Sequence, residues 1–218
     1  MRDHAGFESA IFSFALDDAH HAPQKLRLVG IPLIYDANTI AQATERIASA
    51  IATRHAKTPR LLLLGIANGG IILASRLSER LKQAGLQPGL GTIDISFHRD
   101  DIGDRPITKE STPTLIPHDV NDAFVILVDD VLHSGRTVKA ALDELFDHGR
   151  PAAVELAILV DRGGRRLPIA SDYCGLELTS TDHQKVEVHL DPTKPARDSI
   201  TVLAARPREI KTSTRPVT

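Results

Sequence analysis

Aromatic residues are scarce in this chain: its 218 residues include six Phe, two Tyr and no Trp. The core must therefore be built mainly from Leu, Ile, Val and Ala, the other side chains that proteins commonly bury. The scarcity also argues against binding of single-stranded nucleic acid by stacked bases, because that mode of binding needs exposed rings.

Cysteine is scarcer still, and long apolar runs are absent. Cys174 is the only cysteine, which excludes an internal disulfide and any cysteine-cluster metal site and is typical of a reducing cytoplasm. No apolar run approaches the roughly 18 residues that span a bilayer. The apolar stretch at residues 10–16 is interrupted by Ser13 and followed by Asp17, unlike a signal peptide. We expect a cytoplasmic protein with no membrane partner.

A strong charge of either sign is also lacking, since the net charge is −2. This excludes a protein that is basic over its whole surface and binds polyanions there, but it leaves room for a local basic site. The apolar pattern divides the chain into an N-terminal extension at residues 1–28, a domain at 29–206 and a basic tail at 207–218. The tail contains Pro207 and Pro216 and no apolar periodicity, so it is predicted to be disordered.

Within residues 29–206, short apolar runs alternate with segments of helical periodicity. One helix is predicted to begin at Asn38, as its N-cap, and others to occupy residues 71–81 and 137–146. Strands are predicted at 61–64, 92–97, 125–128, 154–160, 186–190 and 200–203. Strands that alternate with helices are typical of βαβ units, so we predict an α/β fold with a mostly parallel sheet flanked by helices. The polar segment 99–117 is predicted to be a long loop.

The segment 125–137, VILVDDVLHSGRT, carries recognisable chemistry. Asp129 and Asp130 follow a buried strand at its C-terminal end, where α/β sheets bind ligands. Ser134 and Gly135 then lead into a helix, whose N-terminal N–H groups form an anion site suited to a phosphate monoester. The acids can accept hydrogen bonds from vicinal hydroxyls or bind a divalent cation. A ribose 5-phosphate fits both halves of the segment, whereas a P-loop is excluded because no Gly-Lys-Ser/Thr tripeptide is present.

These thirteen residues resemble the phosphoribosyl-diphosphate signature of type I phosphoribosyltransferases. Further segments extend the likeness: LGIANGG at 64–70, IDISFHRDD at 93–101, LVDRG at 159–163 and LPI at 167–169. Together they resemble the family of bifunctional pyrimidine operon attenuators and uracil phosphoribosyltransferases, over about residues 31–205. The resemblance implies a type I phosphoribosyltransferase fold, in which helices flank a mostly parallel sheet and a flexible hood loop covers the site.

The resemblance implies a Mg²⁺-dependent enzyme that transfers the phosphoribosyl group of 5-phosphoribosyl 1-diphosphate to uracil, giving UMP and diphosphate. Asp129 and Asp130 would hold the ribose hydroxyls, directly or through Mg²⁺, and Arg99 on the hood would bring positive charge to the leaving diphosphate. The other substrate-binding residues that it implies are Asn68, Gly69 and Gly70 for the diphosphate, Asp100 on the hood, Ser134, Gly135, Arg136 and Thr137 for the 5-phosphate, and Val160, Asp161 and Arg162 beside the base.

His133 is a further catalytic candidate, at a position where uracil-using members of the family more often have Tyr. A His with a pKa near neutrality could relay a proton from the base, or it could form a polar wall of the pocket. Both interpretations stay open at the level of sequence. Few rings are available to stack on the base, so we expect aliphatic walls and backbone hydrogen bonds around it, with Phe97 and Tyr173 as the exceptions.

Two departures from the family pattern remove positive or polar groups. Residues 68–70 read Asn-Gly-Gly where the family often has Thr-Arg-Gly, so a cation is lost from the diphosphate loop. Residues 46–51 read RIASAI where the family usually has RIAHEI, so a His is lost from the face that the regulatory branch uses for RNA. RNA binding is therefore weakly supported. Its candidate contacts are Arg76, Arg80, Lys82, Arg165 and Arg166.

Other functions therefore remain open beside that of a uracil phosphoribosyltransferase, with or without a role in pyrimidine gene regulation. One alternative is an RNA-binding attenuation regulator with a uridine nucleotide as effector and little catalysis. Another is a phosphoribosyltransferase for a purine base or orotate. The two adjacent acids and Arg99 favour an enzyme. The family likeness also implies a homodimer or homotetramer.

Overall fold

The computed structural model describes residues 33–96, 113–178 and 184–204. The predicted extension at 1–28, the tail at 207–218, Phe97, and Arg99 and Asp100 of the hood lie outside these ranges. The helices are α1 (Ala37–His55), α2 (Gly69–Gln83) and α3 (Arg136–Asp147), with a short 3₁₀ helix at Pro195–Arg197. The strands are β1 (Leu33–Tyr35), β2 (Leu61–Ile66), β3 (Gly89–Ile93), β4 (Phe124–Leu132), β5 (Ala153–Asp161), β6 (Tyr173–Glu177), β7 (Gln184–His189) and β8 (Ser199–Ala204).

Five parallel strands form the central sheet, in the order β3-β2-β4-β5-β6. Every residue of β2 is buried, as expected of an apolar strand that is covered on both faces. Leu63 packs with Leu77 of α2, and the next residue, Leu64, belongs to the cluster that contains Leu145 of α3. Helices α1 and α2 therefore cover one face of the sheet and α3 covers the other, which confirms the predicted α/β architecture.

A second sheet of three antiparallel strands, β1-β8-β7, is called the small sheet below. The sequence predicts strands at 186–190 and 200–203 without separating them from the parallel sheet. Val186 and Ile200 pack into the same cluster as α1 and α2, so the small sheet is anchored to the main domain. Strand β7 contacts β4, and this contact brings the small sheet to the edge where the parallel strands end.

Two predicted boundaries are wrong for identifiable reasons. Helix α1 is capped by Asp36 rather than Asn38, because a carboxylate oxygen of Asp36 accepts the Thr39 N–H at 2.9 Å. Strand β3 ends at Ile93 instead of continuing to residue 97. The Asp94 carboxylate accepts both the N–H and the hydroxyl of Ser96, and this local turn competes with the strand ladder.

Among the described residues, no helix has the length and apolar character that crossing a membrane requires.

Candidate active site

Two adjacent carboxylates near the C-terminal end of β4 are the chemical centre of the site. Asp129 is 5% exposed, and one of its oxygens accepts the N–H of Asp130 at 2.9 Å. Burial raises the pKa of Asp129 well above its usual value, and the charge of Asp130 raises it further. Burial also raises the pKa of Asp130. Within the described residues neither carboxylate forms an ion pair, so the pair is set up to receive a cation or hydroxyl donors.

The predicted diphosphate loop, residues 67–70, packs directly against these acids. A Cβ on Gly69 would lie 2.4 Å from Cγ of Asp130, and one on Gly70 would lie 1.9 Å from the carbonyl oxygen of Val128. Backbone leaves no room for a side chain at Gly70, whereas a side chain at Gly69 would displace the Asp130 carboxylate. Asn68 is exposed and is the N-cap residue of α2, after a cis peptide bond from Ala67. The positive end of the α2 dipole therefore lies beside Asp130, which suits this edge to an anion.

The predicted 5-phosphate loop, residues 133–137, leads from β4 into α3. Gly135 is the N-cap with φ +90°, a left-handed conformation that favours glycine. Ser134 is half-buried, whereas Arg136 and Thr137 are exposed on the first turn of the helix. The Arg136 N–H lies 3.4 Å from the Ser134 hydroxyl oxygen. Because the N-cap has no side chain, the first turn of α3 presents its N–H groups together with two hydroxyl groups.

A second loop, residues 161–169, folds onto the 5-phosphate loop. The Ser134 carbonyl accepts the N–H groups of Arg166 at 3.0 Å and Leu167 at 3.1 Å. The imidazole of His133 packs on Gly164, where φ is +74° and a Cβ would lie 2.6 Å from the His133 Nε2. His133 thus has a fixed ring beside the site. Its part in proton transfer stays a prediction.

The residues predicted beside the base lie at the end of β5 and differ in accessibility. Val160 is fully buried and packs in the cluster beneath α1 and α2, so its side chain belongs to the core. The half-buried carboxylate of Asp161 pairs with Arg165 and accepts the Gly163 N–H at 2.9 Å. Arg162 donates from Nη2 to the Gln184 carbonyl at 2.7 Å, which ties the end of β5 to the small sheet.

A cavity of about 550 Å³ lies between the end of β4 and the small sheet. Asp130 and Val131 line one side of it. The other side is lined by residues of β7 and β8: Val186, Glu187, Val188, His189, Ser199 and Thr201. No residue of this wall was among the predicted site residues. Alternation along residues 186–190, with valine inward and polar residues outward, is the signal that could have revealed it.

The cations predicted to contact RNA do not form one group, although Arg76 and Arg80 line the same cavity on α2. Arg76 binds both carboxylate oxygens of Asp198, and Arg80 pairs with Glu45 at 3.1 Å. Helix α2 follows a parallel strand and returns across the sheet, so Lys82 in its last turn lies at the edge opposite to the site. Arg165 and the exposed Arg166 lie at the edge of the site itself.

Tyr173, which the sequence analysis named as a ring that could lie beside the base, is buried instead at the start of β6. Its hydroxyl donates to Glu155 at 2.6 Å, near the opposite end of the parallel strands. The described residues also contain no group of three or more His, Cys, Asp or Glu side chains that could hold a metal ion by themselves.

Comparisons with known proteins show the family to which this chain is similar. The model of the phosphoribosyl transferase domain matches residues 33–193. The bifunctional protein PyrR of Bacillus subtilis is 44% identical over 165 residues, covering 73% of this chain and 90% of the relative. The bifunctional protein PyrR of Listeria monocytogenes is 41% identical over 174 residues, covering 78% of this chain and 95% of the relative.

Solved structures share the fold at lower identity. The hypoxanthine phosphoribosyltransferase of Trypanosoma cruzi has a TM-score of 0.59 at 20% identity, covering 79% of this chain and 95% of that one. Together with the domain match, this similarity confirms the type I phosphoribosyltransferase fold that the sequence predicts.

Proposed function

This chain belongs to the phosphoribosyltransferases, and within them to the bifunctional PyrR proteins, and on that premise we propose that it transfers the phosphoribosyl group of 5-phosphoribosyl 1-diphosphate to uracil. A bond forms between the anomeric carbon of the ribose and a ring nitrogen of uracil, which loses its proton. The bond from the same carbon to a diphosphate oxygen breaks. The products are UMP and diphosphate.

The observation that carries the proposal is the placement of two adjacent carboxylates between two helix N-termini, one buried and one half-buried, neither in an ion pair among the described residues. Asp129 and Asp130 lie beside the α2 N-terminus on one side, and their strand leads into the α3 N-terminus on the other. A substrate with a phosphate at one end, a diphosphate at the other and hydroxyls between them matches this order of charges. Hydrogen bonds from the ribose hydroxyls would lower the cost of keeping the two acids ionised.

The residues fit a Mg²⁺ ion that arrives with the substrate. Mg²⁺ is usually held by one or two carboxylates plus substrate phosphates and keeps several waters, and Asp129 and Asp130 supply two carboxylates at the diphosphate loop. When bound, the cation supplies positive charge that offsets the charge on the departing diphosphate. This contribution matters more here because residues 68–70 lack the arginine that the family often has.

The two loops would bind opposite ends of the phosphoribosyl substrate. The N–H groups of residues 134–137 and the hydroxyls of Ser134 and Thr137 would hold the 5-phosphate. The backbone of Asn68, Gly69 and Gly70 would hold the diphosphate, with Arg99 and Asp100 from the hood segment. The side chain of Arg162, the carboxylate of Asp161 and the cavity lined by the small sheet would surround the base. We place the reaction in the cytoplasm, where the single Cys174 stays reduced.

Diphosphate release tests the proposal. The purified protein is incubated with Mg²⁺ and 5-phosphoribosyl 1-diphosphate, and release is measured with uracil, hypoxanthine, guanine and orotate in turn. We expect release with uracil alone. No release with any base would overturn the proposal, and release with hypoxanthine or orotate but not uracil would establish the alternative in which the fold serves another base.

The expectations of RNA binding and of oligomer formation rest on the family resemblance. The exposed Lys82 and Arg166 lie at opposite edges of the sheet, so an RNA site within one subunit would use only one of them. We propose a homodimer or homotetramer, in which such cations from several subunits would share one surface. Light scattering gives the oligomeric state, and RNA binding that loses affinity in Lys82→Ala or Arg166→Ala would support the regulatory role.

A further inference from the structure

Arg165 lies outside any helix or strand, and each of its three guanidinium nitrogens donates a hydrogen bond to the protein. Its Nη1 donates to the His133 carbonyl at 2.9 Å, its Nε donates to the Ile169 carbonyl at 3.0 Å, and its Nη2 binds the Asp161 carboxylate. Two longer contacts from Nη1, both at 3.4 Å, reach the Leu132 and Gly163 carbonyls. The side chain is only 25% exposed, so all three guanidinium nitrogens serve the protein interior.

The partners of Arg165 belong to the two loops that meet behind the 5-phosphate site. Asp161 and Ile169 lie at the two ends of the 161–169 loop, and the His133 carbonyl belongs to the 5-phosphate loop. One planar guanidinium thus closes the 161–169 loop and fastens it to its neighbour. A lysine ammonium is a single point of charge and could not reproduce these directions at once.

The bond from Arg165 to the His133 carbonyl also fixes the direction of the next N–H group, that of Ser134. In a trans peptide the C=O and the following N–H point in opposite directions. The His133 carbonyl is held toward Arg165, so the Ser134 N–H points away from it. The Ser134 carbonyl is held by the N–H groups of Arg166 and Leu167, so the Gly135 N–H also points away from the 161–169 loop.

We propose that Arg165 is a positioning residue that preorganises the amides of the 5-phosphate loop. This inference rests on the proposed function, since those amides are the ones assigned to the 5-phosphate. Arg165 does not touch the substrate. It fixes the His133–Ser134 peptide plane directly, and it fastens the 161–169 loop whose N–H groups hold the Ser134 carbonyl. It thereby removes part of the entropy cost that a mobile loop would pay on binding.

The engaged state of Arg165 favours this role over that of a surface contact for RNA. A contact with a nucleic acid phosphate would require the guanidinium to give up its bonds to Asp161, His133 or Ile169. The adjacent Arg166 has an exposed side chain and could meet such a phosphate without disturbing the loops.

The test compares Arg165→Lys and Arg165→Ala with Lys139→Ala. Lys139 is an exposed cation four residues into α3 whose side chain pairs only with Asp143 among the described residues, so its loss controls for the removal of positive charge. Hydrogen exchange of Arg166 and Leu167, whose N–H groups donate to the Ser134 carbonyl, is measured without substrate. KM for 5-phosphoribosyl 1-diphosphate, KM for uracil and kcat are measured with substrate. The thermal midpoint reports whether each variant is folded.

In Arg165→Lys we expect faster exchange at the amides of Arg166 and Leu167, because their bonds to the Ser134 carbonyl hold only while the two loops stay together. We also expect a rise of about tenfold in KM for 5-phosphoribosyl 1-diphosphate. We expect kcat and KM for uracil to stay within about twofold, and free guanidinium to restore part of the lost affinity in Arg165→Ala. Lys139→Ala should match the wild type in exchange. Unchanged exchange in Arg165→Lys, or a fall in kcat with unchanged KM, would overturn the proposal.

The exchange measurement needs no turnover. If the wild type proves inactive with every base, the proposed function fails while the exchange result still decides whether Arg165 holds the loop.

Discussion

Buried carboxylates occur at both ends of the parallel strands, and their surroundings differ. Near the N-terminal end, the Glu155 side chain is 8% exposed and accepts hydrogen bonds from the Tyr173 hydroxyl at 2.6 Å and the His55 Nε2 at 2.9 Å, with Arg54 at 2.8 Å. Burial raises the pKa of Glu155, but these partners outweigh it and leave the pKa below its usual value. At the other end, burial and mutual repulsion leave the pKa of Asp129 well above its usual value.

The difference separates a structural carboxylate from a functional one. Glu155 has enough donors to remain ionised at little cost, so its charge strengthens the fold. Asp129 accepts the Asp130 N–H but has no cation beside it among the described residues, so its charge weakens the fold until a ligand supplies further partners. Strongly perturbed acids in a cleft are typical of sites where charge is needed for chemistry, and the comparison therefore assigns activity to one edge of the sheet and stability to the other.

The largest expected effect is on activity in Asp129→Asn. The substitution keeps the shape of the side chain and the acceptor for the Asp130 N–H but removes the charge. We expect diphosphate release with uracil to fall at least about 100-fold. Asp143→Asn, which removes a surface acid paired with Lys139, is the control and should stay within about twofold. Retention of most of the activity in Asp129→Asn would contradict the assignment of the site.

The next largest effect is on stability in Glu155→Gln. A buried, charge-assisted network loses its anion, so we expect a loss of about 2 kcal/mol in the free energy of unfolding, measured in urea. Activity per folded molecule should be unchanged, because Glu155 lies far from the acids along the strands. Glu45→Gln breaks the exposed pair with Arg80 and should cost less than about 0.5 kcal/mol. Equal losses in the two variants would remove the distinction between the two edges.

Gly69→Ala tests how closely the diphosphate loop must approach the acids. The new Cβ would lie 2.4 Å from Cγ of Asp130, so either the loop or the carboxylate must move. We expect kcat/KM for 5-phosphoribosyl 1-diphosphate to fall about tenfold. At Gly85, φ is +90° and no atom lies within 4 Å of a Cβ. Gly85→Ala should therefore cost about 1 kcal/mol of stability without changing activity. Unchanged activity in Gly69→Ala together with a loss of activity in Gly85→Ala would show that the packing of the diphosphate loop against Asp130 does not control activity.

The smallest expected effect is the pH dependence of the Glu155 contribution. The folded pKa of Glu155 lies below the usual value of 4.5, so its stabilisation is present above pH about 4.5 and is lost as the pH falls through the folded pKa. The stability difference between the wild type and Glu155→Gln should therefore shrink as the pH falls from about 5 toward 3. A difference that grows on acidification would have the wrong sign.

Local patterns made much of the site predictable. Segment 125–137 holds a strand, two acids, a glycine turn and a helix start in consecutive residues, so its chemistry can be seen without knowing the fold. The close packing of Gly69 and Gly70 against β4 depends on the parallel order of the strands, which the alternation of strands and helices predicts. The roles proposed for these residues stay predictions until the variants are measured.

Contacts between distant residues were not predictable. His55 and Tyr173 meet Glu155 from positions 100 and 18 residues away, and no local pattern connects them. Arg165 looked like a surface cation because its partner His133 lies 32 residues earlier in the chain. Strand β1 of the small sheet was not predicted for a similar reason. It has only three residues, and its partner β8 lies near the other end of the domain.

The most direct test of the comparison is the free energy of unfolding of Asp129→Asn at pH 7.5 without Mg²⁺ or substrate. Replacement of a carboxyl group whose ionised form burial and Asp130 disfavour should raise the free energy of unfolding by about 1 kcal/mol in the same variant that loses activity. A decrease of similar size would show that Asp129 stabilises the fold as Glu155 does, and would contradict the assignment of this edge to substrate binding and catalysis.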